Sequence, residues 1–223
     1  MAGPAVSLIV AVYNGEEYLR DALESAFAQD FDPYEVVLVD DGSTDGTAEI
    51  ARSFPVNYVH QKNQGPSAAR NTGMGIARGA YIAFLDGDDT VPPTKLRVQH
   101  QYLLEHPETG CVLGCNEWIF PNGEAPEWMT RDPIHDQLGG IQPGTAMVRR
   151  HVLDEIDAFD PSYRYWEFQN LFVRMRERGV HIHVLPDIVL HKRLHGENAT
   201  LFPPESHPLL RTMREKLERE RQE

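Results

Sequence analysis

A chain of 223 residues is long enough for one full domain, or for a domain with a C-terminal annex. Its 41% apolar and 25% charged residues are ordinary for a globular protein, while 34 Asp and Glu against 21 Lys and Arg give a formal net charge of −13. That balance excludes a general basic footprint for nucleic acid or an anionic membrane, so any phosphate-bearing ligand needs a metal ion or a few placed cations.

The start, "MAGPAVSLIVAVYN", has no basic n-region, and its apolar run is too short to span a bilayer. No other segment approaches the roughly twenty apolar residues of a membrane helix, so the expectation is a soluble cytoplasmic protein without a transmembrane segment. From there, "VSLIVAV" (6–12) reads as a strand buried on both faces, and 16–29 carries Tyr18, Leu19, Ala22, Leu23, Ala26 and Phe27 at helical spacing. "EVVLV" (35–39) is a second strand ended by "DDGSTDG", followed by a helix over 44–53 and a third strand over 56–60. An Ala-rich helix, 67–78, leads to a fourth strand, 80–85, which ends in "DGDD". Short apolar strands alternating with helices predict a largely parallel sheet covered on both faces. Such sheets bind ligands beyond the carboxyl ends of their strands, where this chain carries "YN", "DDGS" and "DGDD".

After Pro92 the pattern predicts a helix over 95–105, a strand over 111–120 and a polar, Pro-rich loop over 121–136. Cys111 and Cys115 stand four apart with no second pair, which favours free buried thiols over a zinc site. "GTAMVRR" suggests a strand, "RRHVLDEI" a short helix, and 166–178 a helix with Phe168, Leu171, Phe172 and Met175 on one face. "HIHVLPDIVLHKRLH" gives one or two late strands. The tail from Pro208 reads as a charged helix with Leu209, Leu210, Met213 and Leu217 on one stripe, either packed lightly on the body or binding a partner.

Each of the strand ends has a plain structural explanation beside a chemical one. Tyr13 could pack, or stack on a planar base while the turn at Asn14 takes its polar edges. Asp40 and Asp41 exceed what one helix cap needs, so the second could accept from a base N–H, with Gly42 allowing the turn. Arg70 is either a surface arginine or the cation that meets a phosphate or balances Asp86 and Asp88. "DGDD" is either a solvated acidic turn or a hard-cation site in which Asp86 and Asp88 offer oxygen ligands to Mg²⁺ or Mn²⁺.

Taken together, "VSLIVAVYNGEEYL", "VVLVDDGSTDGT" and "NQGPSAARNTGMGIARGAYIAFLDGDD" resemble a family 2 glycosyltransferase of the GT-A fold. The resemblance covers about the first hundred residues closely, and "FDPSYRYWEF" through "RLHGENAT" more loosely. It implies an α/β, Rossmann-like, mostly parallel sheet sandwiched by helices, forming a single domain over 1–206. Residues 1–100 would be its nucleotide-sugar half and 101–206 its acceptor-side half, with a charged helix over 207–223. It implies that Ala11, Tyr13, Asn14, Asp41, Arg70 and Asp86 hold the nucleotide. Asp88, with His195 of "HGENAT", would attend the Mn²⁺ or Mg²⁺ that offsets charge on the leaving diphosphate.

The chain departs from the family where "E-D-x-D-L" is usual and "W-E-F-Q-N-L" stands instead. Phe168 falls at the expected base position and Asn170 replaces the second Asp, which leaves Glu167 as the candidate base. The reading is therefore a metal-dependent, inverting glycosyltransferase. It moves a sugar from a nucleotide-diphosphate donor, UDP foremost, to a carbohydrate or other hydroxyl acceptor. The alternative is a degenerate nucleotide-binding module of the same fold with little or no transferase activity. A nucleotidylyltransferase is disfavoured, because a Gly-rich basic loop near the N-terminus is missing. A homo-oligomer is compatible with the sequence.

Overall fold

The computed structural model describes residues 3–120, 141–163 and 166–195. The chain divides into two compact units, Met1–Arg193 and Leu194–Glu223, and the sheet lies in the first. The expected loop over 121–136 and the charged helix over 207–223 lie outside the described residues.

The central sheet takes β1 (Val6–Val12), β2 (Tyr34–Asp40), β3 (Asn57–His60), β4 (Tyr81–Asp86), β5 (Thr109–Ile119), β6 (Ala146–Arg149) and β7 (His181–Arg193) in the order β3-β2-β1-β4-β6-β5-β7. Pairings β3-β2, β2-β1, β1-β4 and β5-β7 are parallel, while β6 runs antiparallel to both of its neighbours. A mostly parallel sheet was the expectation. The late segment, read as one or two strands, is a single 13-residue strand with register shifts against β5.

Side-chain alternation along the inner strands divides the core into two layers. Leu8, Val10, Leu38, Ala83 and Leu85 pack with Leu19 and Leu23 of helix α1 (Leu19–Phe27) and with Leu96 and Leu103 of α4 (Lys95–Glu105). Ile9, Val37, Val39, Ile82 and Phe84 pack on the other face. Their partners there come from α3 (Pro66–Ile76), α5 (Arg150–Glu155) and α6 (Glu167–Glu177). Helix α2 (Thr47–Arg52) completes the set described here. Because the inner strands are covered on both faces, they read as unbroken apolar runs.

Helices α1 and α2 both start three residues later than their periodicity suggests, for one shared reason. The turns that precede them clasp each other. Asn14 and Gly15 donate backbone N–H to Ser43 Oγ and Thr47 Oγ1, and Glu16 N–H donates to Asp45 Oδ2. In return Thr44 N–H donates to Asn14 Oδ1 and Gly46 N–H to Glu16 Oε2. Residues that would continue a helix are committed to this lock instead.

Lys95 is 0% exposed beneath the sheet. Its Nζ donates to Gln99 Oε1 at 3.0 Å and to the Gly144 carbonyl at 2.7 Å, both neutral. Burial lowers its pKa from the ordinary lysine value to about 7. Between that value and about 10.4 the unfolded chain holds a proton that the folded chain does not, so this residue's contribution to stability rises with pH across the window. Below about pH 7 the full penalty is present, at most about 5 kcal/mol. Lys95→Met should therefore stabilise the protein relative to the parent at pH 7, with the parent recovering towards pH 10. Urea unfolding of both proteins over that range checks this, and parallel pH curves would refute it.

Candidate active site

Strand order turns at β1, since β2 and β3 lie to one side of it and β4 to the other. Ala11 of β1 pairs in register with Asp86 of β4, so the two carboxyl ends are level and open a crevice beside each other. Gly87 follows, donating its N–H to the Ala11 carbonyl at 3.2 Å. A Cβ on Gly87 would meet Val12 Cγ2 at 2.7 Å, so only glycine lets the acidic turn lie this close to β1.

The first question raised by "DGDD" is what offsets its charge. Asp86 Oδ1 accepts from Arg70 Nη2 at 2.6 Å, and Lys192 Nζ stands 3.6 Å from its Oδ2. Asp89 is buried, with Oδ2 accepting from Lys192 Nζ at 2.9 Å and Oδ1 accepting from the Arg193 backbone N–H at 2.9 Å. Burial pushes the Asp89 carboxyl well above the usual range, against the pull of Lys192. Burial alone would lower Lys192, but Asp89, Asp88 and Asp86 outweigh it and raise its pKa, so the ammonium stays charged. Arg193 also donates from Nε to the Asp88 carbonyl and from Nη2 to Asp21. The end of β7 thus clamps the acidic turn from the second half of the chain.

Asp86, Asp88 and Asp89 offer oxygens that all lie within 4.8 Å of one another. Oxygen donors at this spacing suit a hard divalent cation. Asp89 is the least suited of the three, being enclosed and committed to Lys192. Asp86 and Asp88 are only partly buried.

Arg70 connects this turn to helix α6. It is 4% exposed, lies 5.5 Å over the Phe159 ring, and donates from Nη1 to Glu167 Oε1 at 2.6 Å. Burial alone would lower its pKa, yet Asp86 and Glu167 outweigh it and hold the guanidinium firmly charged. Two neighbours on α3 complete the junction. Ser67 Oγ donates to the Tyr163 carbonyl, and Asn71 exchanges two hydrogen bonds with the Phe159 backbone. Sequence reasoning passed over Ser67, Lys192 and Arg193, because no local pattern marks a partner about a hundred residues away.

Helix α6 starts at Glu167, one residue later than expected, after Trp166 in a left-handed conformation with φ 60°. That register sets which side chain meets Arg70 and which enters the core. Phe168 is 1% exposed, packed in the core with Phe159, Leu171 and Met175, so it does not present its ring where a base would act. Glu167, its neighbour, meets Arg70. Asn170 Oδ1 accepts from Arg174 Nε and serves the helix.

Tyr13 is 53% exposed just beyond the end of β1. The two strand-end aspartates of β2 have structural partners. Asp40 accepts from Ser43 N–H and Tyr58 Oη. Asp41 accepts from Gln61 Nε2, Gln64 N–H and Gly65 N–H at 2.7, 2.9 and 2.8 Å, and so pins the loop that leads into α3. Gly42 between the two elements has φ 85°, and a Cβ there would meet Asn63 N at 2.8 Å. Asn14 is held in the clasp described above. His195 belongs to the second unit, Leu194–Glu223. Cys111 is buried, with burial pushing its thiol up to about 12, while Cys115 is exposed. Among the described residues, no helix is long and apolar enough to cross a membrane.

The chain has counterparts among known proteins. Residues 7–157 match the family model described as glycosyl transferase family 2. The succinoglycan biosynthesis protein ExoO of Rhizobium meliloti (strain 1021) is 46% identical over 98 residues, covering 42% of this chain and 28% of that protein. The uncharacterized glycosyltransferase YibD of Escherichia coli (strain K12) is 38% identical over 121 residues, covering 52% of this chain and 35% of that protein. This chain therefore spans well under half the length of either relative. Among solved structures, residues 1–349 of S. aureus TarS in complex with UDP-GlcNAc superimpose with a TM-score of 0.72 at 26% identity, over 89% of this chain and 61% of that one. The mannosyltransferase PcManGT of Pyrobaculum calidifontis, in complex with GDP-Man and Mn²⁺, shares the fold with a TM-score of 0.70 at 22% identity, over 89% and 59%. The GT-A fold expected from the sequence is the one present, and the chain belongs to glycosyl transferase family 2.

Proposed function

We propose that the protein transfers a sugar from a UDP-linked donor to a hydroxyl acceptor, with inversion at the anomeric carbon. The observation that carries this reading is the convergence, at the level ends of β1 and β4, of the acidic turn, Arg70 and Glu167. Tyr13 would stack on the base, Ala11 and Asn14 would line its pocket, and Asp86 would take the ribose or share in holding the metal. Asp41 keeps the loop at Gln61–Gly65 in place and has room for one further donor from the base edge. TarS, crystallised with UDP-GlcNAc, supports UDP as the nucleotide.

The donor set fits Mn²⁺ or Mg²⁺, with Asp88 and Asp86 as the residues that would hold it; His195 is proposed as a metal residue from the sequence alone. When bound, the ion supplies positive charge against the leaving diphosphate. The remaining work belongs to the chain. Lys192 and Arg193 keep the acidic turn in shape, Arg70 orients Glu167, and Glu167 takes the acceptor proton as that oxygen attacks. The rival reading, a binding module without turnover, drew its strength from Phe168 at the base position. Asn170 in place of the second Asp favours it too, while Glu167 held by Arg70 supports the enzyme reading over it.

Calorimetry with UDP and GDP, each with Mn²⁺, tests the nucleotide, and release of UDP from UDP-GlcNAc tests turnover. UDP should bind more tightly than GDP. Tyr13→Ala should weaken UDP by roughly 1–3 kcal/mol, the usual worth of a base stacked on an aromatic ring. Equal affinity for the two nucleotides would remove the uracil assignment.

A further inference from the structure

We propose that Arg70 couples the two sides of the active site, so that occupancy at the donor-side Asp86 is felt by the acceptor-side Glu167. The inference rests on the reading that these carboxylates serve donor and acceptor respectively, and it assigns Arg70 as a positioning residue rather than only a nucleotide contact.

The geometry leads there in a few steps. One buried guanidinium is divided between two carboxylates from opposite halves of the chain, with Nη2 on Asp86 and Nη1 on Glu167, both at 2.6 Å. Its two terminal nitrogens point along fixed directions of a planar fork, so a pull on one partner changes the geometry offered to the other. Asp86 is also approached by Lys192 on its second oxygen, so it has little slack of its own. A ligand that engages Asp86 competes with Arg70 for that carboxylate and leaves the guanidinium to Glu167. In the other direction, a neutral residue at 167 leaves Arg70 wholly to Asp86 and makes Asp86 less available to the donor. Such coupling is reciprocal in binding free energy.

Two features confine the effect to Arg70. Ser67 and Asn71 tie α3 to Tyr163 and Phe159 through neutral hydrogen bonds, so the acceptor-side loop stays attached when the guanidinium is removed. Trp166 holds a left-handed backbone immediately before Glu167, which restricts the paths by which that residue can move.

The test is a double-mutant cycle read by calorimetry of UDP at saturating Mn²⁺, with circular dichroism confirming the fold of each variant. Glu167→Gln should weaken UDP about fivefold or more in the parent, within the range typical of site-to-site coupling. The same change made in an Arg70→Met background should alter affinity by less than about twofold. If Arg70→Met does not fold, Arg70→Lys replaces it with the same expectation, because an ammonium cannot span both carboxylates as the fork does. A similar loss from Glu167→Gln in both backgrounds would overturn the coupling while leaving the nucleotide site standing. Failure of the parent protein to bind UDP with Mn²⁺ would overturn the nucleotide reading and the coupling with it.

Discussion

Asp88→Ala should abolish the Mn²⁺-dependent part of UDP binding and leave the fold intact. Asp88 is partly buried in a group of three carboxylates whose oxygens lie within 4.8 Å, so its removal relieves like-charge repulsion within the group while giving up an attraction to Lys192. Neighbouring Asp89 behaves differently because its charge is enclosed and paired with Lys192 at 2.9 Å. Asp89→Ala would strand a buried ammonium, a change that typically costs about 3–5 kcal/mol. The two variants separate a residue that meets a ligand from one that anchors the turn. Calorimetry with UDP, with and without Mn²⁺, measures the first property, and thermal unfolding the second. Unchanged Mn²⁺ dependence in Asp88→Ala would dismiss the metal assignment. A destabilised Asp88→Ala would mean that this carboxylate, too, is structural.

Much of this molecule can be read from local pattern, and the parts that cannot share a cause. Val6–Val12 and Tyr81–Asp86 are near-continuous apolar runs because both faces of the inner sheet are covered, and their polar ends mark the crevice directly. The family motifs mark the same ends. Lys192 carries no such mark. It sits in "LHKRLH" as one cation among several, and its meaning depends on β7 ending against a turn 103 residues earlier. Lys95 opens the helix expected over 95–105, and nothing local shows that α4 turns it under the sheet towards Gly144. The aspartates of "VDDGS" show the limit from another side. Two adjacent strand-end carboxylates suggested a ligand, but nothing in the local pattern shows that Asp40 also holds Ser43 and Tyr58, or that Asp41 also pins the loop 61–65. Periodicity assigns faces, but it cannot say which distant segment will supply a partner.

Glu167→Gln should lower turnover by about 10²–10⁴ with donor affinity reduced far less, the pattern of a lost general base. The physical case begins with register. A helix advances about 100° per residue, so Glu167 and Phe168 cannot face the same way. The structure buries Phe168 among Phe159, Leu171 and Met175 and turns Glu167 towards Arg70. Glu167 Oε1 is taken by the guanidinium, and the same carboxylate keeps a second oxygen with which to receive a proton. Arg70 fixes the direction of that carboxylate, which a base needs before the acceptor arrives. Phe168→Asp, the change that would restore the family's usual carboxylate, serves as the opposing arm. It removes a core aromatic, a loss of about 3–5 kcal/mol for a truncation, and adds an unpaired buried charge. It should therefore unfold or greatly weaken the protein rather than improve it. Release of UDP from UDP-GlcNAc gives the rates, and urea unfolding gives the stabilities. Should Phe168→Asp remain folded and gain activity while Glu167→Gln loses none, the base does not lie at Glu167 and this chain is a transferase that has lost it.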